Sequence, residues 1–223
     1  MQKLNCSPSI WLASIKGLTA ALWLLAGAAW AGFTPVEGRH FLKLPEQHQA
    51  QGEITWLFWP GAKSCAAVNE PLLELAANHP TLRLHAVPAV MRPAWRWHAK
   101  IWHAAASSPR VAAARAALWQ QLQQQPDALA DIDSAAAFLA AHGITDARKL
   151  LLAPALNQRL AEEEQLIHQL ALKGVPAVRI GRYLTHAGLT ADAEQFLATV
   201  AFLAARESTA AAATADAQPA AEP

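Results

Sequence analysis

The sequence predicts an α/β fold in which strands alternate with helices and a long helical insertion separates the third strand from the fourth. Residues 53–59 form a dense run of apolar, β-branched and aromatic side chains, which is typical of a buried strand. Residues 63–78 follow it with apolar side chains at helical spacing. Residues 94–173 have an almost wholly helical pattern, and 176–184 then predict a strand, a turn and a strand. Strands interleaved with helices in this way favour an α/β domain.

The remaining elements complete the order strand, strand, helix, strand, insertion, strand, strand, helix. A short alternating piece at 39–44 predicts the first strand, and alternation at the start of 81–90 predicts the third. The Asn-His-Pro sequence at 78–80 ends the first helix. Residues 190–206 predict a final amphipathic helix, with Thr190 as its N-cap.

The N-terminus predicts an export signal. Lys3 and Lys16 supply positive charge, residues 17–28 are apolar, and a small-x-small cleavage sequence ends at Ala31. We therefore expect residues 1–31 to be a signal peptide, cut after Ala31, and the mature chain to lie in the periplasm and not in the membrane. An uncleaved membrane anchor is the alternative, although the apolar run is short for a membrane span.

The rest of the 223-residue chain predicts one domain and a tail. We assign residues 32–206 to the domain, with the helical insertion at about 94–173. Residues 207–223 are rich in Ala and Pro and contain no larger apolar anchor, which predicts a disordered tail. The formal net charge of +1 gives no indication of a nucleic-acid partner.

The number of cysteines is unusual for an exported chain. The sequence has two, and Cys6 lies in the predicted signal peptide, so Cys65 is alone in the mature chain. Exported compartments are oxidising and favour disulfides, but one cysteine cannot form an internal one. A lone cysteine indicates a buried inert thiol, an intermolecular pair or a reactive group.

Several short motifs, spread over residues 33–206, resemble those of one known family. They are Glu37-Gly38-Arg39-His40-Phe41, Leu57-Phe58-Trp59-Pro60-Gly61, Glu70-Pro71-Leu72-Leu73-Glu74, Val87-Pro88-Ala89-Val90-Met91-Arg92-Pro93-Ala94-Trp95 and Gly174-Val175-Pro176-Ala177. On these motifs the chain resembles the DsbA family of periplasmic thiol:disulfide interchange proteins. The resemblance implies a thioredoxin-like fold with a helical insertion. It also implies unfolded or extended polypeptides as partners.

The chain departs from that family at the redox motif. The family has Cys-Pro-His-Cys after the position of Gly61, where this chain has Ala62, Lys63, Ser64 and Cys65. Ala62 then takes the place of the nucleophilic cysteine and Cys65 that of the resolving cysteine. A competing alignment places Lys63 at the nucleophile position and Cys65 inside the dipeptide. Disulfide exchange passes through a mixed disulfide that a second thiol resolves, so we expect redox turnover to be impaired.

Cys65 is the candidate catalytic residue if thiol chemistry survives. The helix N-terminus and Lys63 would stabilise its thiolate, whereas depth within the helix would raise its pKa. Three alternatives remain open: an inert buried cysteine, a monothiol that reacts with glutathione or another thiol protein, and a stable intermolecular disulfide.

A second candidate site lies at Val175 and Pro176. The resemblance implies that Pro176 is a cis proline facing the motif. It further implies that the Val175 backbone pairs with an extended substrate peptide, which is a form of strand addition. Loss of the redox pair would leave this peptide-binding edge in place.

Aromatic and imidazole side chains cluster at the start of the insertion, at Trp95, Trp97, His98, Trp102 and His103. They predict either core packing or an apolar groove for clients beside the motif. The spacing of five between the two histidines misaligns them, and no third ligand is evident. We therefore expect no metal site and no cofactor.

Two acidic features complete the set. Glu53 is a weak candidate for an acid close to the buried cysteine, because the family often has one near this position. Residues 162–164 are three consecutive glutamates, which are typical of a solvated helix face.

These observations predict a periplasmic DsbA-like homologue that lacks the nucleophilic cysteine and binds polypeptides or acts as a monothiol protein. The alternative is a structural or assembly subunit that binds a fixed partner without thiol chemistry. Whether the chain is an enzyme stays open, since the Cys-x-x-Cys motif is reduced to Ala-Lys-Ser-Cys.

Overall fold

The computed structural model describes residues 33–217, and its strands form one mixed sheet. The five strands are β1 (Leu42–Lys43), β2 (Ala50–Phe58), β3 (Arg83–Pro88), β4 (Ala177–Gly181) and β5 (Tyr183–His186). Their spatial order is β1-β5-β4-β2-β3. β2 and β3 are parallel, and the other neighbouring pairs are antiparallel. The α/β prediction is confirmed.

The described residues form seven α-helices around this sheet. They are α1 (Lys63–Ala77), α2 (Trp95–Ala104), α3 (Val111–Gln124), α4 (Ile132–Ala141), α5 (Ala147–Leu151), α6 (Pro154–Gln169) and α7 (Ala193–Ala217). Helices α2 to α6 lie between β3 and β4 in the chain, which confirms the predicted helical insertion.

β2 is the element that both apolar layers cover. Trp56 and Phe58 point into a cluster with Cys65 of α1 and Phe196 of α7. Leu57, between them in sequence, belongs to a different cluster, as the alternation of side chains along a strand requires. A strand buried on both faces has a nearly continuous apolar sequence, which explains the composition of residues 53–59.

The insertion has an apolar core of its own. Its largest fully buried side chains come from α2 to α5, namely Ile101, Leu118, Leu122, Leu139 and Leu151. Trp102 packs against this core and also against the core under the sheet. Its ring meets the ring of Phe58 edge-on at 4.8 Å, so one residue joins the two parts of the domain.

The last helix extends further than the sequence suggested. α7 continues to Ala217, through residues for which the sequence predicts a disordered tail beginning at 207. Glu207 is only 4% exposed and accepts a hydrogen bond of 3.0 Å from the Gly52 backbone. Ser208 Oγ lies 3.0 Å from His79 Nδ1. These polar contacts and the high helix propensity of Ala extend the helix without large apolar residues.

The start of α7 also differs from the prediction. Asp192, not Thr190, provides the cap: its Oδ1 accepts a 2.8 Å hydrogen bond from the Gln195 backbone. Gln195 Oε1 in turn accepts from the Ala191 backbone at 3.2 Å. This reciprocal arrangement resembles a capping box and moves the first residue of the helix to Ala193.

The predicted signal peptide, residues 1–31, lies outside the described residues, as does the tail from 218 to 223. Among residues 33–217, no helix has the length and apolar character needed to cross a membrane.

Gly181 is expected to tolerate no side chain. Its φ is +52°, and a Cβ there would lie 2.1 Å from the Glu207 carboxylate. Gly181→Ala should therefore lower the free energy of unfolding by at least ~1 kcal/mol, measured by urea denaturation. Gly174→Ala is the control, because nothing lies within 4 Å of its added methyl group. Equal stability of the two variants would contradict the explanation.

Candidate functional site

The motif Ala-Lys-Ser-Cys, residues 62–65, lies at the start of α1, just after the loop that follows β2. Ala62 is the N-cap of α1, with extended backbone angles (φ −83°, ψ 121°), and its side chain makes no capping bond. Lys63 and Ser64 are the first two helical residues and are exposed. The first backbone bond of the helix runs from Ala66 N to Ala62 O at 3.1 Å. The N–H groups of the first turn therefore have no helical acceptor.

Cys65 is the third residue of α1 and is fully buried. Burial raises the pKa of its thiol from 9.0 to about 12, against smaller lowering effects of hydrogen bonds with the Trp59 backbone and the Ser64 side chain. The thiol is consequently neutral at physiological pH, and the thiolate is the form that reacts. The sequence predicts opposing effects on the pKa of Cys65, from the helix N-terminus and Lys63 on one side and from burial on the other. Burial is the larger effect.

The loop between β2 and α1 is fixed from two sides. The ring of Trp59 lies so close to Gly61 that a Cβ there would be 2.3 Å from a ring carbon. The carbonyl oxygen of Pro60 accepts a hydrogen bond from Gln123 of α3. The insertion therefore contacts the loop that presents the motif, a contact that the sequence did not indicate.

Pro176 lies across a cavity from the motif helix. The Val175–Pro176 bond is cis, and Pro176 O accepts a hydrogen bond from Ala187 N at 2.9 Å. The cavity has a volume of about 220 Å³. Its walls come from α1, Pro176 and the segment leading into α7, namely Ser64, Val68, Pro176, Ala187, Thr190, Ala191, Asp192, Ala193 and Phe196.

The structure thus places the sequence-predicted site residues in two groups. Ser64 and Pro176 line one cavity, while Cys65 lies beneath it in the core that contains Phe196. Val175 is partly buried against that core. The stretch from Ala187 to Ala193 was missed as part of the site, and its only sequence signal is the Asp-x-x-Gln cap at 192–195.

The aromatic cluster packs against the motif loop. Trp95 stacks on Trp59 with 4.1 Å between ring centroids. Trp59 Nε1 donates to His98 Nδ1 at 2.9 Å, so His98 Nε2 carries the proton and donates to the Ala128 carbonyl at 2.8 Å. Burial lowers the pKa of His98, which agrees with this neutral tautomer. Both ring nitrogens of His98 are engaged in hydrogen bonds within the protein. The ring therefore links Trp59 of the motif loop to the backbone of Ala128 in the insertion.

Two of the three glutamates at 162–164 pair with side chains of α2. His103 Nε2 lies 2.8 Å from Glu163 Oε2, and both side chains are buried. Glu164 pairs with Arg96 of α2. The interpretation of residues 162–164 as a solvated face is therefore wrong for two of the three, since that face of α6 packs on α2. In the described chain, no three His, Cys, Asp or Glu side chains are grouped closely enough to hold a metal ion.

Glu53 is not close to the thiol. It pairs with Arg83 at 2.8 Å, lies 3.9 Å from Arg179, and comes well before Phe58, the residue at the motif end of β2. Burial and the neighbouring groups of Trp59 and Ser64 set the pKa of Cys65 without it. The weak expectation of an acid here is therefore wrong, and an aromatic residue, Trp56, lies in the core around Cys65.

Alkylation measures the burial of Cys65. A pKa near 12 instead of 9.0 reduces the thiolate fraction at about pH 8 roughly a thousandfold. In the full chain with Cys6→Ser, we expect iodoacetamide to modify Cys65 at least about a thousandfold more slowly in the native than in the denatured protein. Comparable rates in the two states would contradict a buried thiol.

Comparisons with known proteins agree with this fold. The model of the DSBA-like thioredoxin domain matches residues 63–202. The structure of Pseudomonas aeruginosa DsbA superposes with a TM-score of 0.69 at 20% identity, covering 79% of this chain and 96% of that one. DsbA from Xylella fastidiosa gives 0.68 at 20% identity, covering 79% and 100%.

A third structure, reduced DsbA1 from Neisseria meningitidis, gives a TM-score of 0.63 at 20% identity and covers 80% of this chain and 98% of that one. No curated protein matches the chain. At these identities the structures establish a thioredoxin-like fold of the kind found in DsbA oxidoreductases. Because the family model spans more than half of the sequence, the chain belongs to the DSBA-like thioredoxin domain family.

Proposed function

We propose that this chain is an exported, periplasmic polypeptide-binding protein whose redox chemistry is impaired. One observation carries the proposal: the motif helix faces Pro176 across a cavity, but the only thiol that residues 33–217 place there is Cys65, which is buried below it. In strand addition, pockets beside the bound strand give specificity, and this cavity can serve as one, whereas a neutral buried thiol is a poor nucleophile.

The helical positions support the alignment in which Ala62 replaces the nucleophile. Residues three apart at a helix start are neighbours, so side chains at 62 and 65 can meet, as a Cys-x-x-Cys disulfide requires. Residues two apart, such as 63 and 65, do not face each other. Ala62 is also less exposed than Lys63 and packs on the core that contains Cys65.

The cavity beside Pro176 supplies the proposed binding surface. Val68, Pro176 and Phe196 give it apolar walls, and the β4 strand that follows Pro176 is hydrogen-bonded to β2 and β5. The preceding residue, Val175, is at the position where a client strand would pair. None of these features depends on a thiol, so binding is expected to persist without redox activity.

Filling the cavity tests the binding role. Ala191→Trp adds an indole to an exposed wall residue and should weaken binding of a fluorescein-labelled extended peptide by at least about tenfold, measured by anisotropy. Ala113→Trp, on the exposed face of α3, is the matched control and should leave the affinity unchanged.

Cys65→Ser and Cys65→Ala should also bind the peptide normally, whereas a monothiol mechanism predicts that both variants lose activity. A fixed-partner subunit predicts no peptide binding at all.

Restoring a second thiol tests the register. With Ala62→Cys we expect a disulfide to Cys65 and a gain of about tenfold or more in oxidation of a reduced, unfolded substrate protein. Lys63→Cys is the matched control and should form no disulfide with Cys65. A gain of activity in Lys63→Cys alone would favour the alignment that places Lys63 at the nucleophile position. It would contradict the proposed role of Ala62.

A further inference from the structure

The cavity beside Pro176 has the size and chemistry of a pocket for one side chain. Its volume of about 220 Å³ is below the roughly 300–1,000 Å³ of ordinary small-molecule sites. Val68, Pro176 and Phe196 make its walls apolar, whereas Ser64, Thr190 and Asp192 bring polar groups to its lining. An occupant therefore meets an apolar wall along its length and a single carboxylate.

Asp192 has no cationic side-chain partner in the described chain, and only the N-terminus of α7 offsets its charge. The residue is exposed, and no cationic side chain of residues 33–217 forms an ion pair with it. Its Oδ1 accepts the 2.8 Å bond from the Gln195 backbone, which leaves Oδ2 for another donor. Lys63 starts the motif helix nearby in the fold but does not line the cavity.

We infer that this cavity selects a lysine side chain of the bound polypeptide. The four-carbon stem lies along Val68, Pro176 and Phe196, and the ammonium reaches Asp192 at the cavity wall, as long basic side chains do at the edges of apolar surfaces. Lysine fits better than arginine because Oδ1 is engaged in the cap. A guanidinium prefers to bind both carboxylate oxygens at once, whereas an ammonium binds as a point charge. This inference rests on the proposed polypeptide binding.

The capping role of Asp192 is a competing explanation for an acid at this position, and the two roles can be separated. Asn caps helices about as well as Asp, so Asp192→Asn keeps the bond to Gln195 and removes only the charge. Glu194 provides the matched control. It is also exposed, lies in the first turn of α7, and does not line the cavity.

The experiment uses the full chain and fluorescein-labelled extended peptides of Thr and Val with one guest residue, moved along the peptide. The guest is lysine, arginine, norleucine or glutamate, and anisotropy gives each Kd. Ion pairs at exposed sites are modest, so we expect the best lysine peptide to bind about three- to fivefold more tightly than its norleucine counterpart. That preference should shrink as salt is raised.

The variants decide the outcome. Asp192→Asn should abolish the preference for lysine over norleucine, and Glu194→Gln should retain the preference. Equal binding of lysine and norleucine peptides to the native protein would overturn the lysine pocket while leaving polypeptide binding intact. A preference that survives in Asp192→Asn would also overturn it. Failure of every peptide to bind would overturn the proposed function itself and the lysine pocket with it.

Discussion

The burial of β2 on both faces is the constraint on which the rest of this domain depends. Its alternating side chains pack into two separate apolar layers, with Trp56 and Phe58 on one face of the strand and Leu57 on the other. Since β2 ends at Phe58, α1 starts within a few residues and lies over the Trp56 and Phe58 face. The third residue of that helix must then point into the core. The neutral state of the Cys65 thiol is therefore a result of where β2 ends.

The same constraint explains why the motif region keeps its shape with only one thiol. The loop is fixed by the close approach of Trp59 to Gly61, by the hydrogen bond of Gln123 to Pro60, and by the Trp59–His98 bond. None of these contacts involves a cysteine. The position and first turn of α1, and its separation from Pro176, are therefore set by packing and hydrogen bonds alone.

The sequence was sufficient for features that depend on local pattern. The apolar run at 53–59, the turn around Gly181 and the order of strands and helices follow from periodicity and turn chemistry, and all are present in the structure. The five short motifs at 37–41, 57–61, 70–74, 87–95 and 174–177, taken together, were enough for the family.

Polar contacts between distant parts of the chain were not predictable in the same way. Glu163 meets His103 across 60 positions, and Glu207 meets Gly52 across 155. In the sequence, Glu163 is an acid on a predicted helix and Glu207 is an acid at the start of a predicted tail, and exposure to solvent is the ordinary expectation for both. Only the packing of α6 on α2 and of α7 on the sheet determines which acid faces inward. The cavity wall at Asp192 was missed for the same reason, since a cap residue is a local signal and its neighbours across the cavity are not.

The buried sulfur has a consequence for the chemical durability of the protein. Oxidation of cysteine to sulfenic acid and beyond begins from an accessible thiolate, and Cys65 offers neither accessibility nor thiolate character. A buried, neutral thiol of this kind has little tendency toward mispairing or over-oxidation. The sulfur of Cys65 behaves as a small apolar atom in the core. Oxidants that modify exposed thiols should therefore leave Cys65 unmodified while the protein stays folded.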